Sequence, residues 1–350
     1  MKIGLYDPYL DTLGGGERYI FTIASCLQDS HHVMLFWDDK SILDQAKKRF
    51  NIRMDNVQLA GNIFSRKVSL LEKLRVSSSF DVIFYISDGS VPSLLSKKVI
   101  PIVQFPLKVM SMNSFMTQLK LQNTTTIICY SKFIQEFLKK QFIKPVTVLY
   151  PAVDPNPLSL PRENIVLSVG RFTQGNNTKK QDFLIDFFNT HKLHFRGWKL
   201  VLIGSVLPED RDYLKTLRKR VEKNKGIEIL ENLSYASLVR YYARAKIYLH
   251  ATGFGEDLTV HPERAEHFGI SVVEAMSAGC VPIVFGAGGP AEIVGDSVNG
   301  FHFHDTNELF HKIKSLMNDA WLWQKFSDAS KKRAGDFSYD SFCKKLQTLL

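Results

Sequence analysis

Short apolar runs alternate with helical segments along the whole chain of 350 residues, and no other feature constrains the fold as strongly. Residues 3–6 and 33–37 have the length and composition of buried strands, and residues 17–27 between them have the pattern of a helix. Strand–helix alternation of this kind predicts a parallel sheet covered by helices. The same half of the chain contains further predicted strands at residues 81–86, 99–103, 126–129 and 146–149.

Four prolines interrupt the alternation between residues 151 and 161, where the sequence has little periodicity. Because 350 residues exceed what one core usually supports, we interpret this segment as a linker between two domains. The domains are predicted at residues 1–155 and 156–336, and a last helix is predicted at about 337–350. The second half has its own predicted strands at residues 165–169, 199–203, 227–230, 247–249, 281–285 and 300–303.

Composition and charge exclude several classes of protein. The chain has 45% hydrophobic residues and no apolar run of membrane-spanning length, which is typical of a soluble globular protein. Its four cysteines are widely scattered and form no C-x-x-C pair, so neither a zinc site nor a disulfide scaffold is expected, and a cytoplasmic location is predicted. The net charge of +10 accompanies no arginine-rich tract, so nucleic acid is not expected as a partner, whereas peripheral attraction to an anionic membrane is.

Residues 266–279 carry the strongest chemical pattern in the chain. Glu266 and Glu274 stand eight positions apart across a loop and a predicted helix start, with Gly269 and Ser271 between them. Amide groups at a helix start bind an anion, and carboxylates accept hydrogen bonds from sugar hydroxyls. The stretch therefore indicates a ligand that is part phosphate and part polyol. Ser271 is the predicted N-cap of this helix, and the alternative is that Glu274 closes a capping box with Ser271 and is structural.

Two further segments are suited to a phosphate group. Gly14, Gly15 and Gly16 follow the first predicted strand and open the first predicted helix, where glycines permit close backbone approach. Arg171 ends the first strand of the second half, and Lys179 and Lys180 begin the helix that follows. Converging cations at a strand end can neutralise a diphosphate leaving group.

Together these motifs resemble the family 4 glycosyltransferases, a family of group 1, glycogen synthase-like and mannosyltransferase-like enzymes with the GT-B fold of two facing Rossmann-like domains. The stretch from Glu266 to Glu274 resembles the E-x7-E signature of the family, and residues 14–18 resemble its GG-x-E-R loop. Residues 170–185 resemble its G-R … K-G-x-x-x-L-I pattern, although Lys180 stands where glycine is usual. Residues 288–294 match its G-G-P-x-E-I-V segment, and residues 337–350 resemble its terminal helix, which often packs back onto the first domain.

The resemblance implies roles for individual residues. It places Glu266 beside the donor sugar and Glu274 on the nucleotide ribose, and it implies that Arg171 and Lys179 neutralise the leaving diphosphate, with Lys180 sharing or replacing the role of Lys179. Gln104 stands where many relatives with lipid-linked acceptors have histidine on the acceptor side, and glutamine cannot take a proton. The other residues expected to bind the donor are Gly15, Gly16, Phe268, Gly269 and Ile270.

The resemblance also implies an activity, which is transfer of a hexose from a nucleotide sugar to a glycan or glycolipid in the cleft between the domains, with retention of configuration. Residues 266–270 favour GDP-mannose over UDP-glucose or another UDP-hexose. The basic excess favours an acceptor anchored at the cytoplasmic membrane face, and the proton of its hydroxyl would pass to a donor phosphate oxygen. Residues 252–265 form a long insertion that we interpret as a flap.

No cofactor besides the donor is expected. Asp38 and Asp39 lack the D-x-D spacing of metal-dependent transferases, so no metal is predicted. A GT-B phosphorylase would need a lysine context for pyridoxal phosphate that is not found, and a nicotinamide oxidoreductase would need G-x-G-x-x-G, which is absent. A non-catalytic partner protein that binds a sugar nucleotide stays open as an alternative.

Overall fold

The structure is a computed structural model that describes residues 1–106, 115–175 and 178–350. The chain forms two compact units. The first comprises Met1–Ala152 together with Tyr339–Leu350, and the second comprises Val153–Ser338. Within the described residues, no helix is both long enough and apolar enough to span a membrane.

The first unit is built on a seven-stranded sheet in which every pair of neighbouring strands is parallel. The elements are β1 (Lys2–Tyr6), α1 (Gly15–Leu27), β2 (His32–Phe36), α2 (Ile42–Phe50), β3 (Gln58–Ala60), α3 (Leu70–Ser77), β4 (Val82–Ile86), β5 (Lys98–Val103), α4 (Phe115–Lys120), β6 (Ile127–Cys129), α5 (Lys132–Lys139) and β7 (Val146–Val148). The strand order is β3-β2-β1-β4-β5-β6-β7. Strand β4 is buried at all five positions, because helices cover both faces of a parallel sheet.

The second unit is built on a six-stranded parallel sheet. Its elements are β8 (Glu163–Val169), α6 (Gln181–Thr190), β9 (Lys199–Gly204), α7 (Arg211–Val221), β10 (Ile227–Glu231), α8 (Tyr235–Arg244), β11 (Ala245–His250), α9 (Ile270–Ser277), β12 (Val281–Phe285), α10 (Pro290–Ile293), β13 (Phe301–Phe303), α11 (Thr306–Asn318) and α12 (Ala320–Ala334). The strand order is β10-β9-β8-β11-β12-β13. The last helix, α13 (Tyr339–Gln347), belongs to the first unit.

Each sheet has one point at which the strand order reverses direction. In the first sheet this switch point lies between β1 and β4, and in the second it lies between β8 and β11. In open α/β sheets, ligands bind beyond the carboxyl ends of the strands at such a point. The topology therefore predicts that ligand-binding residues follow β1 in the first unit, and β8 and β11 in the second.

One pairing of the cysteines was not expected from their spacing. Cys26 of α1 and Cys343 of α13 form a disulfide with Cα atoms 5.5 Å apart. The two residues are 317 positions apart, and only the packing of α13 against α1 brings them together. Ser25 and Tyr339 share a hydrogen bond of 2.9 Å across the same helix pair, and the ring of Phe342 packs edge-on against Tyr19.

Candidate active site

A lysine and a glutamate form the centre of the candidate site in the second unit. Lys179 lies just before α6, and its Nζ is 2.6 Å from Oε2 of Glu266, which lies in the loop before α9. Both side chains are largely buried, with 19% and 13% of their surface exposed. The stem of Lys179 packs on Gly170 directly after β8, where a Cβ atom would lie 2.5 Å from Cγ of the lysine. The pair therefore lies beside the carboxyl end of β8, at the switch point of the sheet.

His250, the last residue of β11, is a third member of this cluster that the sequence analysis missed. Its Nε2 lies 3.0 Å from the same Oε2 of Glu266, although the two atoms are poorly aligned for a hydrogen bond. Burial alone would raise the pKa of Glu266, but the Lys179 ammonium and the His250 ring hold that pKa well below its usual range. Glu266 is therefore an ionised acceptor with a fixed orientation, as a group that positions sugar hydroxyls must be.

Lys180 makes a separate ion pair with the insertion. Its Nζ is 2.5 Å from Oε1 of Glu256, and Nη1 of Arg264 is 2.8 Å from the other carboxylate oxygen, Oε2. These hydrogen bonds, with the one from Lys180 the stronger influence, lower the pKa of Glu256 below its usual value. The adjacent lysines thus contact two different glutamates, one within the insertion and one directly after it.

Arg171 lies at the end of β8 with an exposed side chain, and within the described residues its guanidinium makes no ion pair. The backbone around it is held by Gln181, which is buried at the start of α6. The Gln181 amide donates to the carbonyl oxygens of Gly170 and Arg171, at 3.2 and 2.9 Å. The first residue of α6 therefore fixes the loop that carries the exposed cation.

The helix that carries Glu274 begins differently from the prediction. Gly269 is the N-cap of α9 and has a left-handed φ of 102°, which glycine adopts without strain. Ser271 lies inside the helix, where its hydroxyl accepts a hydrogen bond of 2.7 Å from Tyr248. The N-cap prediction for Ser271, and with it the capping box, is therefore wrong. Glu274 instead accepts a 2.9 Å hydrogen bond from the Tyr242 hydroxyl.

The neighbouring donor-site candidates differ in what they can offer a ligand. The Phe268 side chain is buried and packs edge-on against Phe337, so only its backbone could contact a donor. Ile270 is the first residue of α9 and is partly exposed. The loop before α10 packs against the same segment, because the amide of Gly289 donates to the Glu266 carbonyl at 2.8 Å. A side chain at Gly289 would collide with the backbone of Phe268.

In the first unit the structure brings the glycine loop and Gln104 together. The Gln104 amide donates to the Gly16 carbonyl at 3.3 Å, and the Tyr130 hydroxyl donates to the same oxygen at 3.4 Å. A Cβ atom on Gly16 would lie 2.7 Å from Oε1 of Gln104, so a side chain at this position would displace the Gln104 amide. Gly15 is the first residue of α1, and Gly14 is its N-cap. The amide of Gly14 donates to the Glu17 carboxylate at 2.7 Å.

Asp7 is a second residue that the sequence analysis missed. It follows β1 at the switch point of the first sheet and is only 1% exposed. Its Oδ1 accepts a 2.9 Å hydrogen bond from the amide of Tyr9, whereas Oδ2 has no hydrogen-bond partner within the described residues. Burial, with smaller contributions from the charges of Glu17 and Asp11, raises the pKa of Asp7 from 3.8 to about 7. A polar residue directly after the first strand was the available signal.

Within residues 1–106, 115–175 and 178–350, no three His, Cys, Asp or Glu side chains are grouped closely enough to hold a metal ion. Asp39, one of the two adjacent aspartates, accepts hydrogen bonds from the amide and hydroxyl of Ser41.

Substitution of Glu274 separates a ligand-binding role from a structural one. Glu274→Gln keeps an oxygen that can accept from Tyr242 but removes the charge, so we expect affinity for a bound nucleotide to fall about tenfold, as for loss of one charged hydrogen bond. Tyr242→Phe is the matched control, because it removes the internal hydrogen bond and leaves the carboxylate. It should lower the melting temperature and leave nucleotide affinity nearly unchanged. Titration calorimetry measures the nucleotide affinity of both variants, and thermal denaturation measures their melting temperatures. Equal nucleotide affinity of Glu274→Gln and the original protein would contradict the ribose role.

Comparison with known proteins covers the whole chain. A family model described as "Glycosyl transferases group 1" matches residues 153–333. The GDP-Man:Man(3)GlcNAc(2)-PP-Dol alpha-1,2-mannosyltransferase of Dictyostelium discoideum is 22% identical over 440 aligned positions, covering 100% of this chain and 85% of the relative. Among solved structures, Anabaena HepE in complex with UDP has a TM-score of 0.78 at 19% identity, covering 100% of this chain and 99% of HepE. A glycosyltransferase from Rickettsia africae has a TM-score of 0.73 at 14% identity, covering 99% and 97%.

Proposed function

The chain belongs to the group 1 glycosyl transferases, and from that premise we propose that it transfers mannose from GDP-mannose to a hydroxyl group of a lipid-linked glycan. The predicted family and the predicted GT-B fold class, with two Rossmann-like domains built on parallel sheets, are confirmed. The protein is a hexosyltransferase, since its family and its full-length relative are glycosyltransferases. A non-catalytic partner protein is accordingly not favoured.

The observation that carries the proposed chemistry is the Lys179–Glu266 pair at the switch point of the second sheet. During transfer, the bond between the anomeric carbon and the diphosphate breaks, and the leaving group gains negative charge. Lys179 and the exposed Arg171 are suited to stabilise that charge, and the ionised Glu266 is suited to orient the sugar. The acceptor oxygen forms the new bond to the anomeric carbon, and its proton passes to a phosphate oxygen of the departing nucleotide.

We propose the same donor arrangement that the motifs implied. Gly15 and Gly16 offer backbone groups to the diphosphate, Glu274 holds the ribose, and Gln104 contacts the acceptor. Gln104 is placed beside Gly16 in the structure, which supports a shared site for these two residues. Because glutamine cannot accept a proton, Gln104 cannot act as a base, and we propose retention of configuration without a metal ion.

The donor preference rests on two lines of support. Residues 266–270 have the sequence Glu-His-Phe-Gly-Ile that favoured GDP-mannose, and the full-length Dictyostelium relative is named for the use of GDP-Man. A UDP-hexose is the second candidate, since HepE was solved in complex with UDP. At 19% identity, the likeness to HepE supports the fold and not the choice of donor. We therefore prefer GDP-mannose.

The acceptor proposal rests on charge and on the same relative. The chain has a net charge of +10, which favours peripheral contact with an anionic membrane surface at its cytoplasmic face, and the Dictyostelium enzyme is named for a dolichol-linked acceptor. Binding to anionic liposomes should weaken as salt rises, because surface attraction is screened over about 10 Å at 0.1 M ionic strength. Efficient transfer to a soluble small molecule without liposome binding would contradict this part of the proposal.

A panel of sugar nucleotides tests the donor. We expect GDP and GDP-mannose to raise the melting temperature, since a ligand that binds only the folded protein stabilises it by mass action. UDP and UDP-glucose are the matched comparisons, and release of labelled mannose from GDP-mannose measures turnover. Transfer from a UDP-hexose without detectable binding of GDP-mannose would contradict the donor assignment and leave the enzyme class intact.

A further inference from the structure

We propose that Lys180 is a positioning residue that fastens the 252–265 insertion to the start of α6, rather than a ligand of the donor phosphates. The proposal rests on the proposed function, because it assigns the insertion a place in the same site. It also distinguishes the roles of two adjacent lysines that the sequence alone leaves interchangeable. Lys179 belongs to the reacting centre, and Lys180 belongs to the scaffold around it.

The first support is the bridge itself. Glu256, near the start of the insertion, contacts Lys180 through one carboxylate oxygen and Arg264, near the end of the insertion, through the other, at 2.5 and 2.8 Å. Lys180 and Glu256 are each 19% exposed, so water screens the pair only in part. The bridge thus closes the two ends of the insertion on each other and ties both to α6.

The separation of the two charge clusters is the second support. Both oxygens of Glu256 contact cations, Lys180 at one and Arg264 at the other, so the Lys180 ammonium has its partner in the insertion. Lys179 instead contacts Glu266, and the same oxygen of Glu266 lies 3.0 Å from His250 at the end of β11. The two adjacent lysines therefore belong to different clusters, and the cluster of Lys180 is the one that holds the insertion.

The backbone of Lys180 is the third support. Lys180 is the N-cap of α6 and has a φ of 53°, in the left-handed region that most side chains avoid. Glycine would adopt this conformation at lower cost, and holding another residue there requires compensation from its surroundings. The Glu256 bridge supplies that compensation, and the left-handed turn directs the two adjacent lysines to different glutamates.

Aromatic packing provides a second anchor for the insertion. The ring of Phe254 lies 4.4 Å from that of Phe183, which is one turn along α6 from Lys180, and it also contacts Phe285 and Phe303. Phe254, Phe183 and Lys180 all line one cavity of about 490 Å³. The insertion is therefore held at this end by apolar contact, and the salt bridge fixes the polar segment that leads to Glu266.

A double-mutant cycle tests the proposal. Lys180→Met, Glu256→Met and the double variant remove one or both partners, and Lys180→Arg keeps the charge. Glu263→Gln is the matched control, because Glu263 lies in the same insertion and pairs with His261 instead. The measurements are kcat and KM for the sugar nucleotide, the Kd of the nucleoside diphosphate alone, and hydrogen–deuterium exchange of residues 252–265.

We expect each single methionine variant to lower kcat by about tenfold, as displacement of a site loop does, with unchanged diphosphate Kd. The double variant should be no worse than either single variant, because both act through one bridge. Hydrogen–deuterium exchange of residues 252–265 should accelerate in both single methionine variants and in the double variant. Lys180→Arg should keep kcat and the exchange rate close to those of the original protein.

Two results would overturn the proposal. One is a weaker diphosphate Kd in Lys180→Met together with an unaffected Glu256→Met, which would make Lys180 a phosphate ligand. The other is unchanged exchange of residues 252–265 in both single variants. The exchange measurement needs no turnover, so it tests the Lys180–Glu256 bridge even if the original protein accepts none of the nucleotide sugars. That lack of activity would contradict the proposed function and not the bridge.

Discussion

Lys179→Ala is expected to lower the rate of glycosyl transfer by roughly 10²- to 10³-fold, the usual cost of removing one group that stabilises charge in a transition state. We propose that the Lys179 ammonium stabilises the leaving diphosphate. Within the described residues, Lys179 is also the closest cation to Glu266. Removing it leaves a largely buried carboxylate whose remaining ion-pair partner, among the residues that the structure describes, is His250. The pKa of Glu266 should then rise. As the pH falls, the variant should therefore lose activity at a higher pH than the original protein.

The matched control is Lys215→Ala in the same unit. Lys215 pairs with Asp212 at the surface, where its side chain is 72% exposed, so its loss should leave turnover nearly unchanged. Single-turnover transfer and nucleotide affinity should be measured for both variants and for Arg171→Ala. Full turnover in both Lys179→Ala and Arg171→Ala would contradict the phosphate-clamp assignment. Full turnover in Lys179→Ala alone, with an inactive Lys180→Ala, would move the assignment by one residue.

The features that the sequence predicted are those encoded by neighbouring residues. Each buried strand is a continuous apolar run, so the alternation of β8, α6 and β9 can be read from the sequence without knowledge of tertiary contacts. The parallel pairing of the strands follows from that alternation, because a helix must carry the chain back between strands. Glu266 and Lys179 could be proposed because each lies in a recognisable local motif at a strand or helix end.

The features that the sequence did not predict depend on contacts between distant residues. Cys26 and Cys343 are separated by almost the whole chain, and spacing rules contain no information about the packing of α13 on α1. Ser271 fits the capping pattern, but Tyr248 from β11 binds its hydroxyl, and Gly269 takes the cap position with a left-handed φ. In these cases a tertiary contact overrides a local preference.

The bridge between Lys180 and Glu256 has the same origin. The two residues are 76 positions apart, and the insertion that carries Glu256 follows no periodic pattern. The sequence signalled only that Lys180 replaces a glycine in a familiar motif. That local departure becomes interpretable when the structure shows its φ of 53° and its partner. Departures from a motif therefore mark positions where distant contacts should be sought.

Asp7→Asn is expected to stabilise the first unit at alkaline pH, and the sign follows from the pKa of the folded state. A carboxyl whose pKa rises from 3.8 to about 7 on folding binds its proton more tightly in the folded protein. The stability that this binding contributes is complete below the unfolded pKa and is lost as the pH rises through about 7. At about 1.4 kcal/mol per pH unit, the full effect approaches roughly 4 kcal/mol.

Asparagine cannot ionise, and its Oδ1 can still accept the Tyr9 amide, so the variant should escape the penalty of a buried charge at Oδ2. Melting temperatures of variant and original protein should be close at about pH 4 and should separate progressively up to about pH 8, with the variant higher. Asp39→Asn is the matched control, because Asp39 is exposed and Ser41 lowers its pKa, so this change should give no alkaline stabilisation. A pH-independent difference for Asp7→Asn would contradict the buried, partly protonated carboxyl. A variant that gains stability and loses transfer activity would identify Asp7 as a residue retained for function at a cost to the fold, as expected for a buried acid at the switch point of the first sheet.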